Sequence, residues 1–136
     1  MFAIILDENK YLQSYSDKYQ TPGSILVNSI PNEKDPEKLK CYQYIDNNFV
    51  LDREKWKEIE AKRAESARIM EARKQISNLK EMLTASDYQI IKCYEYALNN
   101  LELPYDVVEL HAERQALRDQ INELEANINT VEKGLQ

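Results

Sequence analysis

Two rhythms of apolar and polar positions divide the chain. Up to about residue 52 the apolar runs are short and separated by turn residues. Phe2 to Leu6 is an apolar run, DENK at 7 to 10 is a turn, and YLQSYS follows, with Tyr11, Gln13 and Tyr15 alternating onto one face. That is a hairpin pattern. Thr21-Pro22-Gly23 is a turn, and SILV at 24 to 27 reads as a third strand. IPNEKDPEKLK at 30 to 40 reads as a polar loop bracketed by prolines. CYQYIDNNFVLD at 41 to 52 then shows two strands about Asp46-Asn47-Asn48, where Asn tolerates the positive φ of a tight turn. From Arg53 the period lengthens to three and four. Residues 53 to 83 hold no Gly or Pro, and Ile69, Ala72, Ile76, Leu79 and Leu83 keep a helical rhythm. Ser86 with Gln89 matches a capping box, which predicts a fresh helix from about 87 to 99. Asn99-Asn100 ends it, Pro104 forbids an uninterrupted helix, and Asp106 with Glu109 starts the last one, 106 to 133. The expected fold class is α+β: an antiparallel β module over 1–52, then a helical region over 53–136.

The last helix carries the clearest stripe. Val107, Leu110, Leu117, Ile121, Leu124, Ile128, Val131 and Leu135 alternate in threes and fours, with Arg114 in the one gap. Such a seam has three possible partners. It folds back on the helix carrying Ile69, Ile76, Leu79 and Leu83, it pairs in parallel with its own copies, or it meets a helix of another protein. The plain alternative is the core face of a helical bundle. In a parallel pair with Val107 at position a, Glu113 at g faces Arg118 at e of the neighbour, an attractive contact. Charge also bears on the fold-back. Residues 53 to 84 carry nine basic and six acidic side chains, whereas 104 to 136 carry three and seven. If the seam joins copies, Ile121→Asp abolishes association, because a buried carboxylate without a partner is costly.

Composition narrows the function classes. The net charge of −6 disfavours a nucleic-acid partner. The opening MFAIILDENK is too short for a membrane span and lacks the basic flank of a signal peptide. The expectation is a protein made and kept soluble in a cytoplasm until something else moves it. Cys41 and Cys93 form no CxxC, and His111 is the only histidine, so neither a metal site nor a cofactor is expected. His111-Ala112-Glu113 has the H-x-E spacing of zinc deaminases without their P-C-x-x-C. No Gly-rich phosphate loop and no nucleophile-base set occurs, so no enzyme and no small-molecule substrate is expected. Tyr11, Tyr15, Tyr42 and Tyr44 offer a β-module binding face, set against the ordinary fit of aromatic side chains to strands.

Two stretches resemble a known family. MFAIILDENKYLQSYSD with CYQYIDNNFVLDREKW resembles a short β module of small tail proteins from phages and prophages of Gram-positive bacteria. SDYQIIKCYEYALNNLELPYDVVELHAERQALRDQINELE resembles the C-terminal helical segment of the same kind of protein. Together they cover about two thirds of the chain. The resemblance implies a protein of the tail-fibre or baseplate region and carries no catalytic residues. The expected function is therefore a non-enzymatic structural component of a phage tail, located in the virion tail. It would dock on other tail or fibre proteins and oligomerise with its own copies. Alternatives are a tail-fibre assembly chaperone absent from the finished virion, and a regulator that binds a host protein.

Overall fold

The computed structural model describes residues 1–135, apart from the side chain of Leu135. That last position of the apolar stripe thus lies outside the described side chains. The chain is α+β, with a small antiparallel β module ahead of long helices. In order it has β1 (Phe2–Leu6), β2 (Leu12–Ser16), β3 (Ile25–Val27), α1 (Pro36–Leu39), β4 (Tyr42–Ile45), β5 (Asn48–Leu51), α2 (Arg53–Leu98) and α3 (Val107–Leu135). It forms two compact units, one over Met1–Arg63 and one from Ala64 onward.

In the first unit, β1 is the centre of a three-stranded sheet in the order β2-β1-β3. The β1–β2 turn is held by Asp7. Its carboxylate accepts from the backbone N–H groups of Asn9 and Tyr11, each at 2.9 Å, and Lys10 takes a φ of 67°. The pairing passes from Ile5↔Ser14 to Leu6↔Leu12, so Gln13 is an extra residue, a β-bulge. This corrects the expected alternation. The bulge flips the side-chain phase, so that Leu12 and Tyr15 pair with the inward residues Leu6 and Ile4, and Tyr11 and Tyr15 do not share a face. β4 and β5 form a hairpin closed by Ile45↔Asn48. Its two turn residues, Asp46 and Asn47, have φ of 49° and 62°, the type I′ pattern that matches strand twist. A bridge from Tyr11 to Gln43 links the two sheets. Ile4, Leu12 and Val27 are buried at the centre, with Phe2, Leu6, Ile30, Leu39, Tyr44 and Phe49 packed around them.

The segment expected to be a loop, 30 to 40, contains α1. Asp35 caps it, accepting from the N–H groups of Glu37 and Lys38, with Pro36 at the first helical position. Asp52 caps α2 in the same way, accepting from Lys55 N–H at 3.1 Å. The first unit runs on to Arg63 rather than stopping at residue 52 because Trp56 and Arg63 belong to its packing. Arg63 donates to both Asp35 and Glu37 and lies 5.1 Å from the Trp56 ring centroid.

The two helices expected over 53–83 and 87–99 are one continuous helix, α2. The capping-box reading fails for a physical reason. Thr84 and Ser86 turn their hydroxyls back to the carbonyls of Lys80 (3.0 Å) and Leu83 (2.9 Å), a bond compatible with a helix interior. With no Gly or Pro nearby, nothing forces a break. α2 ends in a Schellman motif: Asn100 has a φ of 56°, its N–H meets Ala97 O at 3.1 Å, and Leu101 N–H meets Tyr96 O at 2.9 Å. α3 then starts at its Asp106 cap, which accepts from Val108 and Glu109 N–H. Gly134 lies inside α3 rather than beyond its end.

Candidate functional site

The second unit answers the question of the stripe. Ile121 and Ile128 of α3 pack with Ile69 and Ile76 of α2, and Ala72, Leu79, Leu83, Leu124 and Val131 close around them. Leu110 is also buried, Leu117 is half-buried, and Val107 stands at the edge of exposure. The helices run antiparallel. Arg73 pairs with Glu132 and Lys80 with Glu125 at 3.4 Å, so seven residues forward on α2 are seven back on α3. The fold-back alternative is thus the one realised. The assignment of Val107 to Val131 as an oligomerisation seam is corrected, because its central side chains are already covered within the chain. Ile121→Asp accordingly disrupts the hairpin rather than an association.

Arg114, the odd member of the stripe, is only 12% exposed at its side chain. It reaches across to α2, donating to Leu83 O at 2.8 Å, to the Ser86 hydroxyl, and to Asp87 Oδ1 at 2.7 Å. A cation thus sits in an apolar row because three acceptors of the facing helix surround it.

The hairpin leaves a second apolar row open. Toward the C-terminal end of α2, Tyr88, Ile91, Tyr94 and Leu98 are 65%, 56%, 66% and 65% exposed. Their spacing of three, three and four places them on one flank of the helix, about 100° round from Ile90, Cys93 and Ala97 at 3.6 residues per turn. Leu101 continues the apolar surface into the connection and is also exposed. Single exposed apolar side chains are ordinary, but a continuous row of large ones marks a contact surface. Beside the row lie Lys92 and Glu95. The Lys92 ammonium is 5.7 Å from the ring centroids of Tyr88 and Tyr96.

The candidate tyrosine face of the β module is not assembled. Tyr11 donates its hydroxyl to Asp52 Oδ2 at 2.5 Å, and the Lys55 ammonium lies 3.6 Å from its ring centroid. That hydrogen bond raises the Tyr11 hydroxyl above its usual range and holds the Asp52 carboxyl below the ordinary one. Tyr44 packs on Phe49 at a centroid distance of 4.9 Å, and Tyr15 meets Phe2 edge-on at 6.2 Å. Tyr42 is half-buried opposite Leu51. These rings build the module more than they offer a surface. Comparison with protein-family models, curated proteins and solved structures finds no match.

Two further features escaped the sequence reading. One is the Asp35–Glu37–Arg63–Trp56 group, in which hydrogen bonds from Arg63 hold the Asp35 carboxyl far below its usual range. Its signal in the sequence is Asp-Pro-Glu at 35 to 37, a cap residue followed by a first-turn proline and an acidic side chain. The other is the exposed row on α2, whose members were visible as apolar positions but could not be divided between two faces. Cys41 and Cys93 are both buried free thiols, the former raised by burial. Among the described residues no group of His, Cys, Asp and Glu is arranged to hold a metal ion, and no helix is long and apolar enough to cross a membrane.

Proposed function

We propose that the chain is a non-enzymatic protein-docking component of a phage tail, acting in the baseplate or tail-fibre region. Two things support this reading. The first is the resemblance of residues 1–17, 41–56 and 86–125 to small tail proteins of Gram-positive phages. The second, which carries it, is the exposed row Tyr88, Ile91, Tyr94 and Leu98. The heptad stripe is occupied inside the hairpin, whereas this row is an apolar surface left open for a partner. Docking rather than catalysis is the chemistry such a surface supplies, since apolar burial drives association without orienting a reacting group.

The test is the composition of purified particles. Phage purified through a density gradient should contain the chain at a fixed ratio to other tail proteins, by quantitative peptide mass spectrometry. The Leu98→Glu variant should be depleted from particles by at least tenfold while its level in the lysate is unchanged. A second reading, the assembly chaperone, is favoured by the closed hairpin, because a factor that leaves its client needs a complete fold of its own. Presence with fibre protein in the lysate and absence from particles would select it. Absence from both overturns the tail assignment.

A further inference from the structure

We infer that the exposed row on α2 is a two-fold interface, covered by the same row of a second, antiparallel copy of this chain. The inference rests on reading that row as a docking surface and names its occupant. Three observations converge on a second copy. The first is self-complementarity. Tyr88, Ile91, Tyr94 and Leu98 interleave with themselves when the helix is reversed: Leu98 of one copy falls beside Tyr88 and Ile91 of the other, and Ile91 beside Tyr94 and Leu98. A two-fold axis requires one patch to fit itself in this way.

The second is charge. Lys92 and Glu95 lie on the same side of the row, three positions apart. Reversing the helix about a point between Cys93 and Tyr94 brings Lys92 of each copy level with Glu95 of the other. Two identical ion pairs form, and no like charges meet across the axis. In a parallel arrangement in register the flank carrying Lys92 and Glu95 would face the opposite flank of the second copy, and the two would form no pair with each other.

The third is size and direction. With more than half of each side chain exposed, Tyr88, Ile91, Tyr94, Leu98 and Leu101 offer about 600 Å², taking fully exposed large side chains at roughly 200 Å² each. Two copies would cover about 1,200 Å² in total, at the lower end of specific interfaces. The row also lies about 100° round α2 from the face that meets α3, close to the angle at which each helix of a four-helix bundle touches its two neighbours. Two hairpins would complete such a bundle.

Light scattering of the full-length chain tests this at about 10 µM and about 500 µM, which bracket the affinity of a small interface. The expected mass at the higher concentration is close to twice the 16.0 kDa of the chain. Leu98→Glu should return it to the mass of one chain, with an unchanged far-ultraviolet circular dichroism spectrum. Lys92→Glu should weaken association at least tenfold, and Lys92→Glu combined with Glu95→Lys should restore it. That rescue is specific to the antiparallel pairing. A single-chain mass at both concentrations overturns the inference, as does a dimer indifferent to Leu98→Glu or a charge exchange that fails to rescue. If the chain stays single while Leu98→Glu still removes it from particles, the second copy is wrong and the docking reading stands. If Leu98→Glu changes neither, both fall.

Discussion

Arg114 stands where a heptad would place an aliphatic side chain, and its surroundings explain why it is tolerated. Its guanidinium is nearly enclosed and finds a backbone carbonyl, a hydroxyl and a carboxylate on α2. Truncating it removes a charged donor from each of those acceptors, although Leu83 O keeps the Ser86 hydroxyl. Arg114→Ala should cost about 1.5–3 kcal/mol in urea denaturation, the range for hydrogen bonds to a charged group. Asp87→Ala removes only the half-exposed partner and should cost less than about 1 kcal/mol. Equal costs would mean that the salt bridge, not the burial of the cation among helix acceptors, carries the contact. Asp52 and Asp35, like Glu33, are carboxyls of the first unit held below their ordinary pKa. Asp52 is held below its ordinary pKa first by the Tyr11 hydroxyl, then by the Lys55 N–H. Asp35 is held lower still, chiefly by Arg63. Both carboxyls are depressed in the folded chain, so their stabilisation is complete above the unfolded value, near about pH 4, and is lost as pH falls toward the folded values. Trp56, the single tryptophan, adjoins this group. Its fluorescence should be constant from pH 7 down to about 4.5 and change below about 4. A change centred above pH 5 would contradict the assignment.

Among the elements, α2 decides the most. Its inward row is read off the sequence without difficulty: Ile69, Ile76, Leu79 and Leu83 recur at the helical period and are covered by α3. Ile76→Ala should destabilise the chain by about 2–4 kcal/mol, as truncation of a covered aliphatic side chain does. Met82→Ala, on the exposed side at 56% exposure, should stay within about 0.5 kcal/mol of the parent. The two hairpins were legible for a related reason. Turn chemistry at Asp46-Asn47 and at Asp7 to Lys10 is local, and the side chains that set it lie within four residues. Other features were not legible because their causes are not local. A hydroxyl that could cap a helix and one that turns back within it look alike in sequence, so the continuity of α2 through Ser86 was missed. The bulge at Gln13 depends on which residues of β1 stand opposite, and it moved Tyr11 away from Tyr15. The divided faces of α2 near Ile90 and Ile91 depend on where α3 lies. Adjacent apolar residues there serve two different surfaces.

At the scale of the whole molecule, the opposite charges of the two long helical segments follow from the hairpin. Arg73 and Lys80 on one side meet Glu132 and Glu125 on the other. Such exposed pairs contribute little individually and are weakened by salt, so they select the antiparallel partner while the isoleucines supply the stability. The stripe that first suggests association with other chains is thereby occupied at home, while the row Tyr88, Ile91, Tyr94 and Leu98 on α2 stays exposed. That distinction is the centre of the account, and one measurement reaches it directly. Cys41 and Cys93 are replaced by Ser, Arg73 and Glu132 by Cys, and the purified chain is treated with a short bismaleimide over a wide range of concentration. The account predicts a cross-link within a single chain, with a yield independent of concentration and both labelled peptides joined in one 16.0 kDa species. Cross-links found only between chains, with a yield that rises with concentration, would show that the stripe pairs copies and would contradict the hairpin.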